Sequence, residues 1–140
     1  MSALPSPSLD PDEAAAVAAV SRYLAMIDAL AADPDARLEK LATVARGQTA
    51  AQWTQNLFTR RARGERLVGR TAIAEAKATF TGANAWGVVA CLDVSNVDIL
   101  DKNGRSVVPT DQGDRFESHY TVEKTESGWY VTTDAVTATC

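Results

Sequence analysis

The hydrophobic pattern of the chain changes its period near Gly64. Residues 10–63 repeat apolar side chains with helical spacing, whereas residues 66–138 alternate apolar and polar side chains as strands do. Helices that precede strands, rather than alternate with them, predict an α+β domain with helices on one face of an antiparallel sheet. A length of 140 residues suits one core. We therefore expect a disordered linker over residues 1–9 and a single domain over residues 10–140.

Three helices are predicted before the period changes. The segment Asp10-Pro11-Asp12-Glu13 combines a capping Asp, a Pro at the first helical position and an early Glu, which is typical of a helix start. A shorter helix is expected over about residues 35–46 and a third over about residues 50–63, where Thr49 and Gln52 form a capping-box pattern. The apolar stripe of the first helix consists of Val17, Val20, Leu24, Ile27 and Ala31.

Alternation predicts four strands after Gly64 that are long enough to form a sheet. They cover residues 72–80, 85–94 and 115–123, and a last strand that contains Trp129. Strict alternation assigns one side chain in two to the core face. These side chains are Ala74, Ala76, Ala78, Phe80, Trp86, Val88, Ala90, Leu92, Phe116, Ser118, Tyr120, Val122, Trp129, Val131, Thr133 and Ala135. The same alternation places Asp93, His119 and Asp134 on the opposite face.

The two cysteines, Cys91 and Cys140, both fall on the face opposite the core by alternation. A bond between them requires Cα atoms about 4.4–6.8 Å apart and would hold the last strand to the sheet. A structural disulfide in an oxidising compartment is one interpretation, and two unpaired thiols in a cytosolic protein are the other. A bulge between Asp134 and Cys140 would turn Cys140 to the core face.

Composition excludes several function classes. A Cys/His zinc site is not expected, because the chain has one histidine and two cysteines without C-x-x-C spacing. The net charge of −4 argues against nucleic acid as the main partner, since phosphate neutralisation dominates such binding. We therefore expect no cofactor, no metal and no nucleic-acid partner.

The element order resembles that of the nuclear-transport-factor-2-like superfamily, which includes ketosteroid-isomerase-like and cystatin-like domains. Local features that carry the resemblance are Tyr23-Leu24, the bend over residues 63–69, Cys91-Leu92-Asp93 and the segment 128–131, which reads Gly-Trp-Tyr-Val. The pattern looks most like extracytoplasmic accessory or lipoprotein domains of high-GC Gram-positive bacteria. The resemblance implies a cone-like fold with a pocket or a partner-binding face, and it does not imply one activity.

A candidate pocket follows from the helical stripe and from the resemblance. Asp28 lies at the edge of the apolar stripe of the first helix. Its carboxyl group either lines a pocket and has a raised pKa, or is solvated at the rim of the pocket. With Tyr23, Trp53 and Tyr120 it forms the candidate pocket. The isomerase-like enzymes use an inward Asp of the sheet as base. Because Asp134 is expected to face away from the core, we expect no turnover that depends on Asp134 or on His119.

A basic cluster follows the third helix in an otherwise acidic chain. Cations near a helix C-terminus complement its dipole, so a solvated surface is one interpretation of the cluster. A docking patch for an acidic protein or for anionic lipid headgroups is the other. The cluster consists of Arg60, Arg61, Arg63, Arg66 and Arg70.

Two functions remain open from the sequence. The first is a non-enzymatic extracytoplasmic interaction or accessory domain, as part of a lipoprotein or of a secretion or conjugation assembly. It would have a protein partner or self-associate, with a membrane tether outside this chain. The second is a small-molecule-binding or isomerase- or hydrolase-like protein that uses the helix–sheet pocket. A filled core favours the first function, and a cavity of a few hundred Å³ with convergent polar groups favours the second.

Overall fold

The computed structural model describes residues 10–140, so the expected linker at residues 1–9 lies outside the described residues. The helical part comes first and the strands follow, which confirms the α+β class. The helices are α1 (Pro11–Ala32), a 3-10 turn (Leu38–Thr43) and α2 (Gly47–Ala62). The strands are β1 (Arg66–Val68), β2 (Ala72–Gly82), β3 (Ala85–Asp93), β4 (Asp98–Leu100), β5 (Arg115–Thr125) and β6 (Gly128–Thr139).

The main sheet has four antiparallel strands in the order β2-β3-β5-β6. Strands β1 and β4 pair separately as a short antiparallel ribbon. The helices pack on one face of the curved main sheet, and one buried cluster joins them to it. Its largest fully buried side chains include Tyr23, Leu30, Leu41 and Leu57.

The two outer strands of the main sheet are irregular, whereas the central pair is regular. Strands β3 and β5 pair without a register shift. In β6, Thr132 and Thr137 have no partner residue on β5, so each marks a β-bulge. In β2, Ala74 and Thr81 likewise have no partner residue on β3 and mark two further bulges. A bulge bends its strand, so both edges of the sheet curve.

The bulges correct several predicted orientations. Ala74, expected in the core, is exposed at a bulge, and its neighbour Ile73 packs against the core instead. Phe80 pairs with Trp86 but remains 58% exposed near the end of the strand. In β6, Thr133 and Ala135 are exposed rather than inward, because the extra residue Thr132 reverses the alternation after Val131.

The helices also depart from expectation in two places. The short second helix is a 3-10 turn of 6 residues, bounded by Val44, whose backbone N–H bonds to the Leu41 carbonyl. The helix α2 begins at Gly47, which has a φ of +65°, and not at residue 50. Thr49 is therefore a buried residue inside the helix and not its cap.

The helix α1 is 22 residues long and, by length and composition alone, apolar enough to cross a membrane. It begins as predicted, with the Asp10 side chain accepting a hydrogen bond from the Asp12 N–H and Pro11 in the first turn. Of its predicted stripe, Val17 is half-buried and the other four residues, Val20, Leu24, Ile27 and Ala31, are buried in the core. In this structure α1 is the central helix of the folded core, which accounts for its apolar composition.

Cys91 and Cys140 form a disulfide with a Cα–Cα distance of 6.0 Å. Both lie on the face of the sheet opposite the helices, as predicted. The bulge at Thr137 does lie between Asp134 and Cys140, but the bulge at Thr132 precedes it. Each bulge reverses the alternation once, so the two cancel at Cys140.

Candidate functional site

A cavity of about 490 Å³ opens between the helices, the concave face of the sheet and the segment that follows β4. Most of its wall is apolar, and aromatic rings are contributed by Trp53, Phe116 and Tyr120. Four charged residues line it: Asp28, Arg60, Asp114 and Asp134. The aliphatic part of the wall includes Leu24, Ile27, Leu67, Leu92, Val97, Ile99 and Val136.

Asp134 lies on the cavity face of the sheet, which corrects the prediction that it faces away from the core. The bulge at Thr132 sets Asp134 opposite Tyr120, whose side chain points inward. Its Oδ2 accepts hydrogen bonds from the Tyr23 hydroxyl at 2.7 Å and from Trp53 Nε1 at 3.3 Å. The sheet therefore supplies an inward carboxylate after all, and the premise for expecting no Asp134-dependent turnover is wrong.

Tyr23 connects this carboxylate to the core. Its hydroxyl lies 2.6 Å from Thr49 Oγ1 in addition to its bond to Asp134. Burial, and after it the negative charge of Asp134, raise the pKa of Tyr23 well above its usual range. The phenol is thus a fixed neutral donor, and the two helices and β6 are joined through one hydrogen-bonded group. Tyr23 supports the pocket from behind; it does not line the cavity.

Tyr120 and Ser118 contribute two neighbouring hydroxyl groups to the cavity wall. Both are buried on the inward face of β5. Burial and the charge of Asp134 raise the pKa of Tyr120 well above its usual range, while the nearby Ser118 hydroxyl acts in the opposite direction. Ser118 is 1% exposed, and its Oγ makes no hydrogen bond of standard geometry within residues 10–140. Buried polar atoms are nearly always bonded, so this hydroxyl calls for a partner.

Asp28 lies where the sequence predicted, at the edge of the stripe of α1 and in the wall of the cavity. Its Oδ2 accepts a hydrogen bond from the Thr71 N–H at 2.8 Å, and Oδ1 accepts one from Thr71 Oγ1 at 3.1 Å. Burial raises the pKa of this carboxyl, and the bonds from Thr71 and the charge of Arg70 oppose that rise. A second hollow of about 520 Å³ lies on the other side of Asp28. Asp28 thus anchors the chain just before β2 as well as lining the pocket.

The five arginines of the basic cluster do not act as one surface. Arg61 donates three hydrogen bonds to main-chain carbonyls, at 2.7 Å to Ala36 and at 2.9 Å to both Leu30 and Asp33. It fastens the C-terminal end of α1 and the loop that follows, so it is not available for docking. Arg60 lines the cavity, with its guanidinium carbon 5.7 Å from the centre of the Trp53 ring. Arg63, Arg66 and Arg70 are exposed.

The remaining candidates lie outside the cavity. His119, on the outer face of β5, is 3.4 Å from Glu117 at the surface. Asp93, predicted to face away from the core, lies 3.7 Å from Arg115 and accepts a hydrogen bond from the Ser95 N–H. The Ser95 hydroxyl first, and then the Ser95 N–H, lower the pKa of Asp93. Within residues 10–140, no group of three or more His, Cys, Asp or Glu side chains is arranged to hold a metal ion.

Sequence comparison with known proteins finds no match, either to a protein-family model or to a curated protein. Solved structures are similar in fold. The intermembrane space region of the chloroplast protein ARC6 is 19% identical with a TM-score of 0.66, covering 95% of this chain and 100% of that chain. A Novosphingobium aromaticivorans protein assigned by inference as an aromatic ring hydroxylase is 14% identical with a TM-score of 0.61, covering 90% and 93%.

A third similar structure is the Kfla4162 protein from Kribbella flavida. It is 14% identical with a TM-score of 0.57, and the match covers 89% of this chain and 88% of that chain. At these identities the likeness concerns the fold alone. It supports a nuclear-transport-factor-2-like fold, as the element order predicted.

Proposed function

We propose that this protein is an extracytoplasmic accessory domain that binds a small, largely apolar molecule in the 490 Å³ cavity. The observation that carries the proposal is the contrast between the apolar wall and a few convergent polar groups. Ser118 Oγ is buried without a hydrogen bond of standard geometry among residues 10–140, and Asp134 and Tyr120 line the same wall. A mostly apolar cavity of this size with a few placed polar groups is typical of ligand sites.

The cavity supports ligand binding over a function that uses the surface alone. A module that acts only through its surface needs no cavity, whereas here an open cavity of about 490 Å³ adjoins the packed core. We propose binding rather than turnover, because the one histidine of the chain lies on the outer face. The disulfide between Cys91 and Cys140 supports the extracytoplasmic location, since such bonds persist in oxidising compartments.

Two valine-to-tryptophan variants test the proposal. Val136 lines the cavity near its open side and is 66% exposed, so a tryptophan there obstructs the cavity without entering the packed core. Val89 is 37% exposed and pairs with His119 on the outer face, so a tryptophan there is the matched control. The probe is N-phenyl-1-naphthylamine, a neutral dye that fluoresces in apolar surroundings.

The dye should bind wild type and Val89→Trp saturably at one site per chain, and it should raise their melting temperatures. In Val136→Trp its affinity should fall about tenfold or more. Equal binding to all three proteins, or none to wild type, refutes the proposal that the cavity is the binding site.

A further inference from the structure

We infer that the cavity is selective for an organic amine, held as a cation with its ammonium group at Asp134 and its apolar body along the aromatic wall. This inference rests on the proposed function and adds the chemical class of the ligand. The charge of the wall is the first support. Three carboxylates, Asp28, Asp114 and Asp134, face the cavity against one guanidinium, that of Arg60. An anionic ligand would meet a net excess of two negative charges.

The bonding of Asp134 is the second support. Both donors that reach it within residues 10–140, the Tyr23 hydroxyl and Trp53 Nε1, bond to Oδ2. These bonds fix the carboxylate and leave Oδ1 without a hydrogen bond, so one acceptor remains for a ligand. A charge-assisted bond from an ammonium N–H to a carboxylate is stronger than a bond between neutral groups.

The surroundings of Asp134 are the third support. Ser118 Oγ is buried, makes no hydrogen bond of standard geometry within residues 10–140, and lies two residues from Tyr120 on the same inward face of β5; both residues line the cavity with Asp134. A primary ammonium group has three N–H donors and no acceptor, so it matches a site that offers two or three oxygens. Trp53, Tyr120 and Phe116 add ring faces that attract a cation.

The positive charge of Arg60 should disfavour a cationic ligand in the cavity, so a variant without this charge provides a control. Its guanidinium stands near Trp53 but makes no ion pair with a carboxylate among the described residues. Removing its charge should improve the cavity for a cation and impair it for an anion. Asp134→Asn, in contrast, removes the carboxylate while its amide oxygen can still accept bonds from Tyr23 and Trp53.

The experiment measures the binding of three molecules that share a phenylalkyl chain and differ in their terminal group: 4-phenylbutylamine, 4-phenylbutanol and 4-phenylbutyrate. For wild type, calorimetry should show the amine binding about tenfold or more tightly than the alcohol, with the carboxylate weakest. Asp134→Asn should reduce amine affinity about tenfold and leave alcohol affinity within about twofold. Arg60→Gln should increase amine affinity severalfold. Unchanged near-ultraviolet circular dichroism verifies that both variants remain folded.

The outcomes separate this inference from the proposed function. If the alcohol or the carboxylate binds wild type as tightly as the amine, the cavity binds ligands but the inference about amines is wrong. The same holds if folded Asp134→Asn retains full preference for the amine. If Asp134→Asn does not fold, loss of selectivity in Ser118→Val provides the equivalent test. If none of the three molecules binds wild type, the inference about amines is wrong, and the dye experiment separately decides whether the cavity binds ligands at all.

Discussion

The Tyr23 hydroxyl links three elements in the interior of the protein through its hydrogen bonds. It lies between Thr49 and Asp134, and no other hydroxyl in the described chain joins α1, α2 and β6. Removing it would leave the buried Thr49 hydroxyl without its acceptor and the Asp134 carboxylate without its shorter hydrogen bond. The cost of such orphaned groups exceeds the net value of an ordinary hydrogen bond.

Tyr23→Phe should therefore reduce the free energy of unfolding by about 1–3 kcal/mol. The matched control is Tyr130→Phe, whose hydroxyl bonds locally to Ser127 at the edge of the fold. That change should stay within about 0.5 kcal/mol of wild type. Urea unfolding followed by tryptophan fluorescence measures both, and equal effects would contradict a special role for Tyr23.

Asp28 should make stability depend on pH in an unusual direction for a carboxylate. Because its pKa is raised in the folded state, the folded protein holds this proton more tightly than the unfolded chain does. The contribution of Asp28 to stability therefore falls as the pH rises through the interval between the unfolded and folded pKa values. An asparagine retains an acceptor for the Thr71 N–H and has no charge to bury.

The expected result is that Asp28→Asn gains stability relative to wild type at pH 7 and loses that advantage at pH 3. Denaturant titrations of both proteins at the two pH values measure the difference. A change that is the same at both values would show that burial does not penalise this carboxylate.

At the scale of elements, the apolar face of α1 holds the helices on the sheet. Leu24 is buried there and also reaches the cavity. Leu24→Ala should reduce the free energy of unfolding by about 2–5 kcal/mol, as expected for a truncated core side chain. Phe58→Ala on α2 is the control, because Phe58 is 64% exposed and should cost less than about 1 kcal/mol. A near-zero effect of Leu24→Ala would contradict the packing of this helix.

The regular elements were predictable from local pattern, and the bulged ones were not. Alternation placed Trp86, Val88, Ala90 and Leu92 correctly, because β3 lies inside the sheet and pairs with β5 without a register shift. Helical spacing correctly predicted most of the buried stripe of α1, because a regular helix keeps one face toward the core along its length. Phe116, Trp129 and Trp53 were expected to be buried and are half-buried, since they lie at the border of the cavity or of the sheet.

Asp134 was misplaced because its orientation depends on a pairing between strands and not on its neighbours. No local signal in Val131-Thr132-Thr133-Asp134 distinguishes a bulge from regular alternation. The prediction for Cys140 was correct only because two bulges cancel. Thr49 was similarly misread as a cap, since its bond to Tyr23 crosses 26 residues and leaves no mark in the local sequence.

At the scale of the whole molecule, the disulfide closes a long loop of the sheet. Cys91 and Cys140 are 49 residues apart, and a loop of that length removes enough entropy from the unfolded chain to stabilise the fold by about 4 kcal/mol at most. Reduction, or Cys140→Ser, should therefore lower the melting temperature by several degrees or more. Titration of the unfolded, unreduced protein should find no free thiol, and two thiols per chain in protein from an oxidising compartment would contradict the bridge.

The irregular outer strands also determine where the length of this protein can vary. Strand β6 pairs residues 128–139 with residues 116–125 of β5, so its paired stretch contains two residues more than that of β5. Loss of Thr132 or Thr137 would remove the bulge at that position while each remaining residue kept its partner and its face. Insertions or deletions elsewhere in β6 would turn either Asp134 or Cys140 to the wrong side. In an alignment of homologues, gaps in this strand should therefore fall at residues 132 and 137.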